Sequence, residues 1–401
     1  MNLPPAVVFG MFETGLGVAR SLGQKGIKVY GVDFKRDIGF YSRYISPMIC
    51  PNPVLEEDKF IEWVKHSFGE DQKLPVFITS DQFMVAISKN IKELETQFIL
   101  NLPDYDLLRK IDNKFSQYTL AVKTSVPVPQ THVVKKYEDV NTLTECVIQF
   151  PVIVKGLDVT TWRSNISSSI KGFEAKDHQH LLNIVKPILD KNVPCLIQEI
   201  IPGPDTNHVK YSCYVSKTGS VVAEFMLKKI RQHPIHFGIG SAVESISDDK
   251  LRELGHHLFS SIGYRGVGSA EFKFDERERT LKLIEINPRY WQQNYLTTAC
   301  GYNMAFLNYC DLIESPISAP TACRIGVKWV NIYADFDSYL GYSREGSLSF
   351  VGWLQSLRGK KTWSDFIIRD PIPVFYEYRF GARFLRHPIK ALKYIFKIVF
   401  G

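Results

Sequence analysis

The feature that most constrains the fold is a pair of short strand-like runs near residue 280. The first follows Glu271, the second passes through Glu285 and Asn287 to Arg289, and a charged turn at 275–280 joins them. Two such runs with a short polar connection predict an antiparallel hairpin. Because alternate residues of a strand share a face, Glu285, Asn287 and Arg289 are expected on one side. A hairpin that pairs Glu271 with Glu285 would bring the acidic side chains together.

The chemistry of this hairpin has two interpretations. Two carboxylates and an amide carbonyl are hard oxygen ligands, the set that suits Mg²⁺ holding phosphates. The alternative is a solvated polar face with cross-strand ion pairs. Leu283, Ile284 and Ile286 interleave with the polar residues, which predicts burial on both faces. Since a buried acid needs a strong partner, this pattern favours the metal site.

The first hundred residues alternate short apolar strands with helices. Strands are expected at 6–9, 28–33 and 76–79, and helices at 15–22 and 81–94. This alternation predicts parallel βαβ units.

Three glycines, Gly10, Gly15 and Gly17, follow the first of these strands, and Asp33 ends the second. One interpretation is a dinucleotide site with Asp33 on a ribose. The spacing departs from GxGxxG, so the other interpretation is a tight strand-to-helix turn.

Mixed strands and helices between residues 103 and 315 predict α+β lobes around a cleft. Within this region Lys114 begins a helix and Lys155 ends a buried apolar run. A lysine in such a place supplies a point charge for phosphate, although single lysines commonly lie on the surface. As a bare pattern, Glu199 and Asp205 around a Pro-Gly turn form an ordinary strand exit.

Composition bounds the class of protein. The chain has 401 residues, 45% hydrophobic and 23% charged, which predicts two or three globular domains. Its seven cysteines stand singly, so we expect reduced thiols and neither a disulfide framework nor a zinc site. The amino terminus lacks a basic segment before its apolar run, and long apolar stretches are missing. We therefore expect a cytoplasmic protein.

The positive charge is concentrated at the carboxyl terminus. Residues 351–401 hold ten Lys or Arg against three acids, which equals the whole-chain excess of +7. Nucleic acid binding across the chain is therefore not expected. Basic residues spaced by three or four predict an amphipathic helix, and they are Arg379, Arg383, Arg386, Lys390, Lys393 and Lys397. Such a helix would dock peripherally on an anionic membrane or pack on the rest of the chain.

Taken in chain order, five motifs resemble the ATP-grasp superfamily of carboxylate–amine ligases, in particular its predicted carboligases and D-aspartate ligase-like members. The motifs are Asp-Asn-Lys114, Pro-Val-Ile-Val-Lys155-Gly, Ile-Gln-Glu199-Ile-Ile-Pro-Gly, Gly-Ser-Ala-Glu271-Phe and Glu285-Ile-Asn287-Pro-Arg289. The resemblance implies an α/β and α+β chain. Its parts would be a Rossmann-like pre-ATP-grasp domain at 1–112, a two-lobed ATP-grasp domain at 113–318 and a basic helical extension at 319–401.

The resemblance also implies roles for individual residues. Lys114 and Lys155 would bind the phosphates of the nucleotide. The backbone of Glu199, Ile200 and Ile201 would recognise adenine, and Asp205 would bind the ribose. Two Mg²⁺ ions, or Mn²⁺ in their place, would be held by Glu271, Glu285 and Asn287. Arg289 would stabilise the transferring phosphoryl group. Lys228, Lys229 or Arg231 would bind the γ-phosphate or the substrate carboxylate.

The implied activity is ATP-dependent joining of a small-molecule carboxylate to an amine through an acyl phosphate, with ADP and phosphate as products. An amino acid or a cell-surface precursor would be the substrate, and a homodimer is compatible with the resemblance. Two alternatives stay open at this point. One is an NAD(P)-dependent oxidoreductase that uses Gly15, Gly17 and Asp33, and the other is a non-catalytic nucleotide-binding adaptor at a membrane.

Overall fold

A computed structural model describes residues 3–69, 72–143, 148–167, 170, 172–316 and 322–376. The basic stripe from Arg379 to Lys397 lies outside the described residues. The chain divides into two compact units, the first formed by 1–102, 230–246 and 289–401, the second by 103–229 and 247–288. The three domains expected from the sequence, with limits at 112 and 318, stay a prediction.

Residues 3–102 contain a parallel sheet of five strands. Its elements in chain order are β1 (Ala6–Phe9), α1 (Glu13–Gly23), β2 (Val29–Asp33), β3 (Ile45–Ile49), α2 (Glu57–Ser67), β4 (Leu74–Ile78), α3 (Asp81–Lys89), α4 (Ile91–Leu94) and β5 (Phe98–Ile99). The strand order is β3-β2-β1-β4-β5, and all four pairs are parallel. Strand β1 is central and its four apolar residues are buried, as expected for a parallel strand covered on both faces. The parallel pairing predicted from the sequence is confirmed.

The turn between β1 and α1 is built from glycines and closed by Asp33. Gly10 has a φ of +93°, and a Cβ on Gly15 would lie 1.9 Å from the carbonyl oxygen of Gly10. The carboxylate of Asp33 accepts the backbone N–H of Met11 at 2.6 Å and that of Phe34 at 2.8 Å. This geometry favours the tight-turn interpretation and gives the dinucleotide interpretation no support.

The chain from 103 to 288 builds two antiparallel sheets. Its elements are α5 (Tyr105–Asp112), α6 (Lys114–Lys123), β6 (Thr131–Val134), α7 (Tyr137–Asn141), β7 (Val152–Gly156), α8 (Val159–Asn165), β8 (Gly172–Ala175), α9 (His178–Leu189), β9 (Cys195–Glu199), β10 (His208–Val215), β11 (Val221–His233), β12 (Ile239–Ile246), α10 (Asp249–Ser261), β13 (Gly266–Asp275) and β14 (Thr280–Asn287). Strands β6-β9-β7-β8 form one sheet, and β14-β13-β10-β11 are neighbours in the other. Strand β11 begins in the second unit and ends in the first, to which β12 also belongs.

The core of the smaller sheet is apolar and continuous with its helices. Val152 and Val154 of β7 pack in one buried cluster with Leu181 and Val185 of α9. Because alternate residues of a strand share a face, this core fixes the side from which the intervening Ile153 and the following Lys155 project.

Residues 105–123 form two helices, α5 and α6, which are separated at Asn113. Asn113 ends α5, and its side-chain oxygen accepts the N–H of Ser116 at 2.9 Å. Asparagine is a preferred amino-terminal cap because it satisfies one of the first free N–H groups. Lys114 is therefore the first residue of α6, as predicted.

The remaining residues of the first unit form helices and two short strands. These are α11 (Tyr295–Ala299), α12 (Met304–Leu312), β15 (Lys328–Val330), α13 (Ile332–Arg344), α14 (Phe350–Ser356) and β16 (Lys361–Trp363). Arg20 of α1 is fully buried in this unit. Its guanidinium pairs with Asp370 at 2.9 Å and donates to the carbonyls of Ser364 and Asp365. Among the described residues, helices that combine the length and apolar character needed to cross a membrane are absent.

Candidate nucleotide and metal site

Strands β13 and β14 form the hairpin predicted from the sequence, with the predicted pairing. Glu271 lies opposite Glu285, and Ser269 lies opposite Asn287. Since directly opposed residues project from the same face, the two carboxylates and the amide of Asn287 present their oxygens on one side of the sheet. This donor set fits Mg²⁺, which prefers oxygen ligands and is commonly shared with substrate phosphates.

A bulge in β14 decides which side chains share that face. The register shifts beside Glu271, so that Leu283 pairs with Phe272 while Glu285 pairs with Glu271. Strict alternation would place Leu283 on the same face as Glu285, but the bulge at Ile284 moves it to the other side, where it is fully buried. The acidic face is therefore free of that apolar side chain.

Glu271 is surrounded by cationic or proton-bearing groups. Its carboxylate lies 2.5 Å from Nζ of Lys229, 3.1 Å from Nδ1 of His208 and 3.8 Å from Nζ of Lys210. The side chains of Glu271 and Lys229 are only 14% and 5% exposed. Burial acts to raise the pKa of Glu271, but Lys229, His208 and Lys210 together hold that pKa well below its usual range. Glu271 is therefore ionised throughout the physiological range.

Glu285 is paired with a lysine from a different element. Nζ of Lys114 forms an ion pair with Oε1 of Glu285, and helix α6 is held along β14 by two further contacts. The hydroxyl of Tyr118 donates to the carbonyl of Ile284 at 2.8 Å, and Nε2 of Gln117 donates to that of Ile286 at 3.2 Å. The predicted phosphate-binding lysine and a predicted metal ligand are thus adjacent. The side chain of Glu285 is 41% exposed, so the expectation that burial enforces a partner for it was wrong.

Lys155 is held by a chain of side-chain hydrogen bonds in the smaller sheet. Its Nζ donates to Oε1 of Gln198 at 2.9 Å, and Nε2 of Gln198 donates to Oγ1 of Thr131 at 2.8 Å. Gln198 is 3% exposed and lies on β9, which pairs with both β7 and β6. The amide therefore fixes where the ammonium group of Lys155 lies.

The segment after β9, expected to contact adenine, is anchored by a buried lysine. Nζ of Lys273 donates to the carbonyl of Ile201 at 2.7 Å. Burial lowers the pKa of Lys273, and the nearby Asp205 opposes this effect. Ile201 and Asp205 are buried and Ile200 is half-buried. The structure thus brings this segment to the same hairpin that carries the acidic face.

The side chain of Glu199 belongs to a separate charged cluster at the hairpin turn. One carboxylate oxygen of each of Glu199, Asp275 and Glu278 lies within 4.8 Å of the others. Arg277 and Lys282 neutralise them, with distances to Oδ2 of Asp275 of 2.7 and 3.0 Å. Hydrogen bonding to Arg277, opposed by burial and aided by Lys282, holds the pKa of Asp275 far below its usual range. The cluster therefore provides its own countercharges, and we assign no metal to it.

The two arginines of the sequence-based site lie in the first unit. Arg289 pairs with both oxygens of Asp81 at 2.6 and 2.9 Å. Arg231 is 4% exposed and forms a two-point pair with Asp335 at 2.7 and 2.8 Å. Lys228 is half-buried on β11 opposite Val209, so alternation puts it on the face opposite to Lys229. The roles expected for these residues stay predictions.

Sequence reasoning did not identify His208, Lys210 or Gln198. The first two lie on β10, a strand that was not predicted although its first six residues, up to Cys213, alternate between polar and apolar. That alternation is the signal that could have found them. Gln198 carries no comparable signal, since a polar residue before a strand end is common.

The buried His208 predicts a pH dependence of stability. Burial lowers its pKa, and Glu271 only partly reverses this, so the folded state binds its proton less readily than the unfolded chain. Stability is then fully present above the unfolded pKa of about 6.5 and falls as the pH drops below it, because the unfolded state takes up the proton. We expect His208→Gln to reduce the loss of stability between about pH 7.5 and about pH 5.5, measured by urea denaturation. The control is His66→Gln, a 77% exposed histidine, and equal pH slopes for wild type and His208→Gln would contradict the prediction.

Comparisons with known proteins match part of this chain to a known domain and relate the rest to known folds. Residues 111–232 match the RimK-like ATP-grasp domain. The chain is 25% identical over 277 residues to D-aspartate ligase from Enterococcus faecium, covering 66% of each chain, so it spans just under two thirds of that relative.

Solved structures share the fold across most of the chain. An L-amino acid ligase from Bacillus licheniformis superposes with a TM-score of 0.58 at 14% identity, over 78% of this chain and 75% of that one. The biotin carboxylase domain of 2-oxoglutarate carboxylase from Hydrogenobacter thermophilus, solved with MgADP and bicarbonate, gives a TM-score of 0.63 at 15% identity, over 82% and 74%. The chain therefore contains a RimK-like ATP-grasp domain at residues 111–232, within a fold that these solved structures share.

Proposed function

We propose that this chain is an ATP-dependent ligase that activates a carboxylate as an acyl phosphate and joins it to an amine. The observation that carries the proposal is the register of the β13–β14 hairpin, in which Glu271 opposes Glu285 two pairs away from Asn287. Lys114 and Lys229 pair with these carboxylates, and Lys155 lies in the smaller sheet of the same unit. An acidic face flanked by lysines suits Mg-ATP, whose phosphates need both metal ions and ammonium groups.

The reaction follows from the poor reactivity of a carboxylate. A carboxylate oxygen attacks the γ-phosphorus of ATP, the bond to the bridging oxygen breaks, and ADP leaves. The amine nitrogen then attacks the acyl carbon, loses a proton, and phosphate leaves with the electrons of the C–O bond. Lysine ammonium groups offset the negative charge that gathers on the phosphoryl oxygens. Two Mg²⁺ ions, for which Mn²⁺ could substitute, would be held by Glu271, Glu285 and Asn287 and would neutralise phosphate charge when bound.

We propose that the ion pairs of the site exchange partners when Mg-ATP binds. In the structure Lys114 pairs with Glu285 and Lys229 pairs with Glu271. In the complex the carboxylates would turn to the metal and the lysines to the phosphates. Each charge keeps a counterion in both states, which avoids the cost of leaving a buried charge unpaired.

The substrate class is proposed from the relatives. D-aspartate ligase and L-amino acid ligase are both named for joining amino acids, and the chain resembles both. We therefore propose a small-molecule carboxylate and an amine, of which one is an amino acid.

The proposal is tested by incubating the purified chain with Mg-ATP and pools of amino acids and small carboxylates, and separating ADP from AMP. ADP that forms only with a pool, and that is lost in Glu285→Gln, is the expected result. AMP would overturn the acyl phosphate assignment. Failure to bind Mg-ATP in equilibrium dialysis would overturn the assignment of the site itself.

A second prediction concerns Gln198, which positions Lys155. Replacing Gln198 with Leu removes the acceptor that holds the ammonium group, so we expect the KM for ATP to rise about tenfold, the equivalent of one charged hydrogen bond. The KM of the other substrates should change little. Gln198→Glu retains an acceptor oxygen and is expected to recover most of the ATP affinity. A purely structural role would instead lower the amount of folded protein in both variants. It would not change the KM for ATP more than the KM of the other substrates.

A further inference from the structure

Helices α13 and α14 present an apolar face to solvent. We define the aromatic face as Phe336 and Tyr339 of α13 together with Phe350, Trp353 and Leu354 of α14. Its rings are in contact, with centroids 5.3 Å apart for Tyr339 and Trp353 and 5.7 Å apart for Phe350 and Trp353. Phe336, Phe350 and Leu354 are nevertheless 42%, 51% and 47% exposed. Aromatic side chains on contiguous, half-exposed helix surface are typical of an interaction site.

The chain that follows the aromatic face carries exposed charge of one sign. Between residues 350 and 369 the exposed charged side chains are all basic: Arg358, Lys360, Lys361 and Arg369. Asp365, the acid of this segment, is 1% exposed. Ile368, next to Arg369, is 87% exposed. Exposed apolar and basic side chains are thus combined in one segment.

We propose that the aromatic face and the basic residues at 358–361 dock this chain on an anionic lipid surface. Apolar side chains of an interfacial helix enter the boundary between headgroups and acyl chains, and neighbouring basic groups lie at the lipid phosphates. The exposed apolar groups that would enter this boundary are Phe336, Phe350 and Leu354, and the buried ring of Trp353 contacts both phenylalanines.

The chemistry of the surface favours lipid over two other occupants. A second copy of the chain in a two-fold contact would bring the same basic residues face to face, which costs free energy. Nucleic acid would be held by the basic groups and stacked rings, but it offers no apolar layer for Leu354 or Ile368. An acyl-chain boundary accommodates both kinds of side chain.

The experiment measures flotation of the full-length chain with vesicles of phosphatidylcholine alone and of phosphatidylcholine mixed with phosphatidylglycerol. We expect binding to the mixed vesicles that weakens with added salt. The double variant Phe350→Ser, Leu354→Ser should lower vesicle affinity at least about tenfold. The matched control replaces Val54 and Leu55, which are 58% and 81% exposed elsewhere in the same unit, by Ser and should bind as wild type.

A charge variant keeps the proposal testable if the apolar variant folds poorly. Lys360→Glu with Lys361→Glu should lower affinity for mixed vesicles by at least about tenfold, since each basic residue near the surface contributes about fivefold. The control, Lys92→Glu with Lys217→Glu, makes the same change in net charge at two other exposed sites.

Three outcomes would overturn the proposal. The first is a wild-type chain that does not float with mixed vesicles. The second is binding by both double variants at wild-type affinity, which would assign any membrane contact to another part of the chain. The third is a concentration-dependent dimer in ultracentrifugation that the Phe350→Ser, Leu354→Ser variant abolishes while vesicle binding is unchanged. ATP turnover is not expected to change in any of these variants, so a failure here leaves the proposed ligase activity unaffected.

Discussion

Replacing Glu271 with Gln is expected to lower the rate of substrate-dependent ADP release by about 100- to 1000-fold, the cost of removing one preorganised electrostatic group. Glu271 opposes Glu285 in the hairpin and is contacted by Lys229, His208 and Lys210. The amide keeps the shape but carries no charge, so a bound metal would lose a ligand and the lysines would lose their common counterion. The measurement is the rate of ADP release with saturating substrates.

The control for this change lies on β11, a strand of the same sheet that is separated from β13 by β10. Glu224 of β11 also accepts hydrogen bonds, from Tyr211 at 2.5 Å and from His256 at 3.2 Å, but it lies away from the acidic face. Glu224→Gln should retain ADP release within about threefold, the usual effect of a surface substitution. Equal losses in the two variants would contradict a special role for Glu271.

Replacing Asp335 with Asn is expected to destabilise the first unit by about 3–5 kcal/mol, the cost of leaving one member of a buried ion pair without its partner. Asp335 is fully buried and pairs with Arg231 at two points. It also accepts the indole N–H of Trp353 at 2.8 Å. Asparagine can accept at only one atom and leaves the guanidinium charge of Arg231 uncompensated. Thermal or urea unfolding, followed by tryptophan fluorescence, measures the effect.

An exposed pair provides the comparison. Arg252 and Asp249 lie 2.6 Å apart on α10 with side chains 41% and 83% exposed. Asp249→Asn should change stability by less than about 0.5 kcal/mol, as solvent screens such pairs. A result in which Asp335→Asn is equally mild, but ADP release falls sharply, would indicate that Arg231 acts on a substrate and that its pairing is not structural.

Sequence patterns predicted the parts of the fold that depend on neighbouring residues in the chain. The apolar run at Ala6–Phe9 and the glycine turn after it predicted the parallel strand and its helix, since both depend on neighbouring residues. The hairpin register was predictable for the same reason: a short charged turn limits how Glu271 and Glu285 can pair, and the structure confirms that pairing.

Contacts between distant residues were not predictable from one sequence. Arg231 pairs with Asp335, which lies 104 positions away in the sequence, and Lys114 pairs with Glu285, which lies 171 positions away. Nothing in the local sequence around either cation indicates its partner. The bulge at Ile284 was also missed, because alternation alone assumes an uninterrupted strand and places Leu283 on the wrong face.

The burial of Arg20 has a consequence for how the chain is made. Its partners, from Ser364 to Asp370, lie up to 350 positions later. A ribosome that adds about 5–20 residues per second needs roughly 20–70 s to reach them, and during that time the arginine has no native acceptor. Helix α1 therefore cannot make the native contacts of Arg20 until nearly the whole chain has been synthesised. A deletion after about residue 360 removes these partners, and it should therefore impair folding of the first hundred residues although it lies far from them in the sequence.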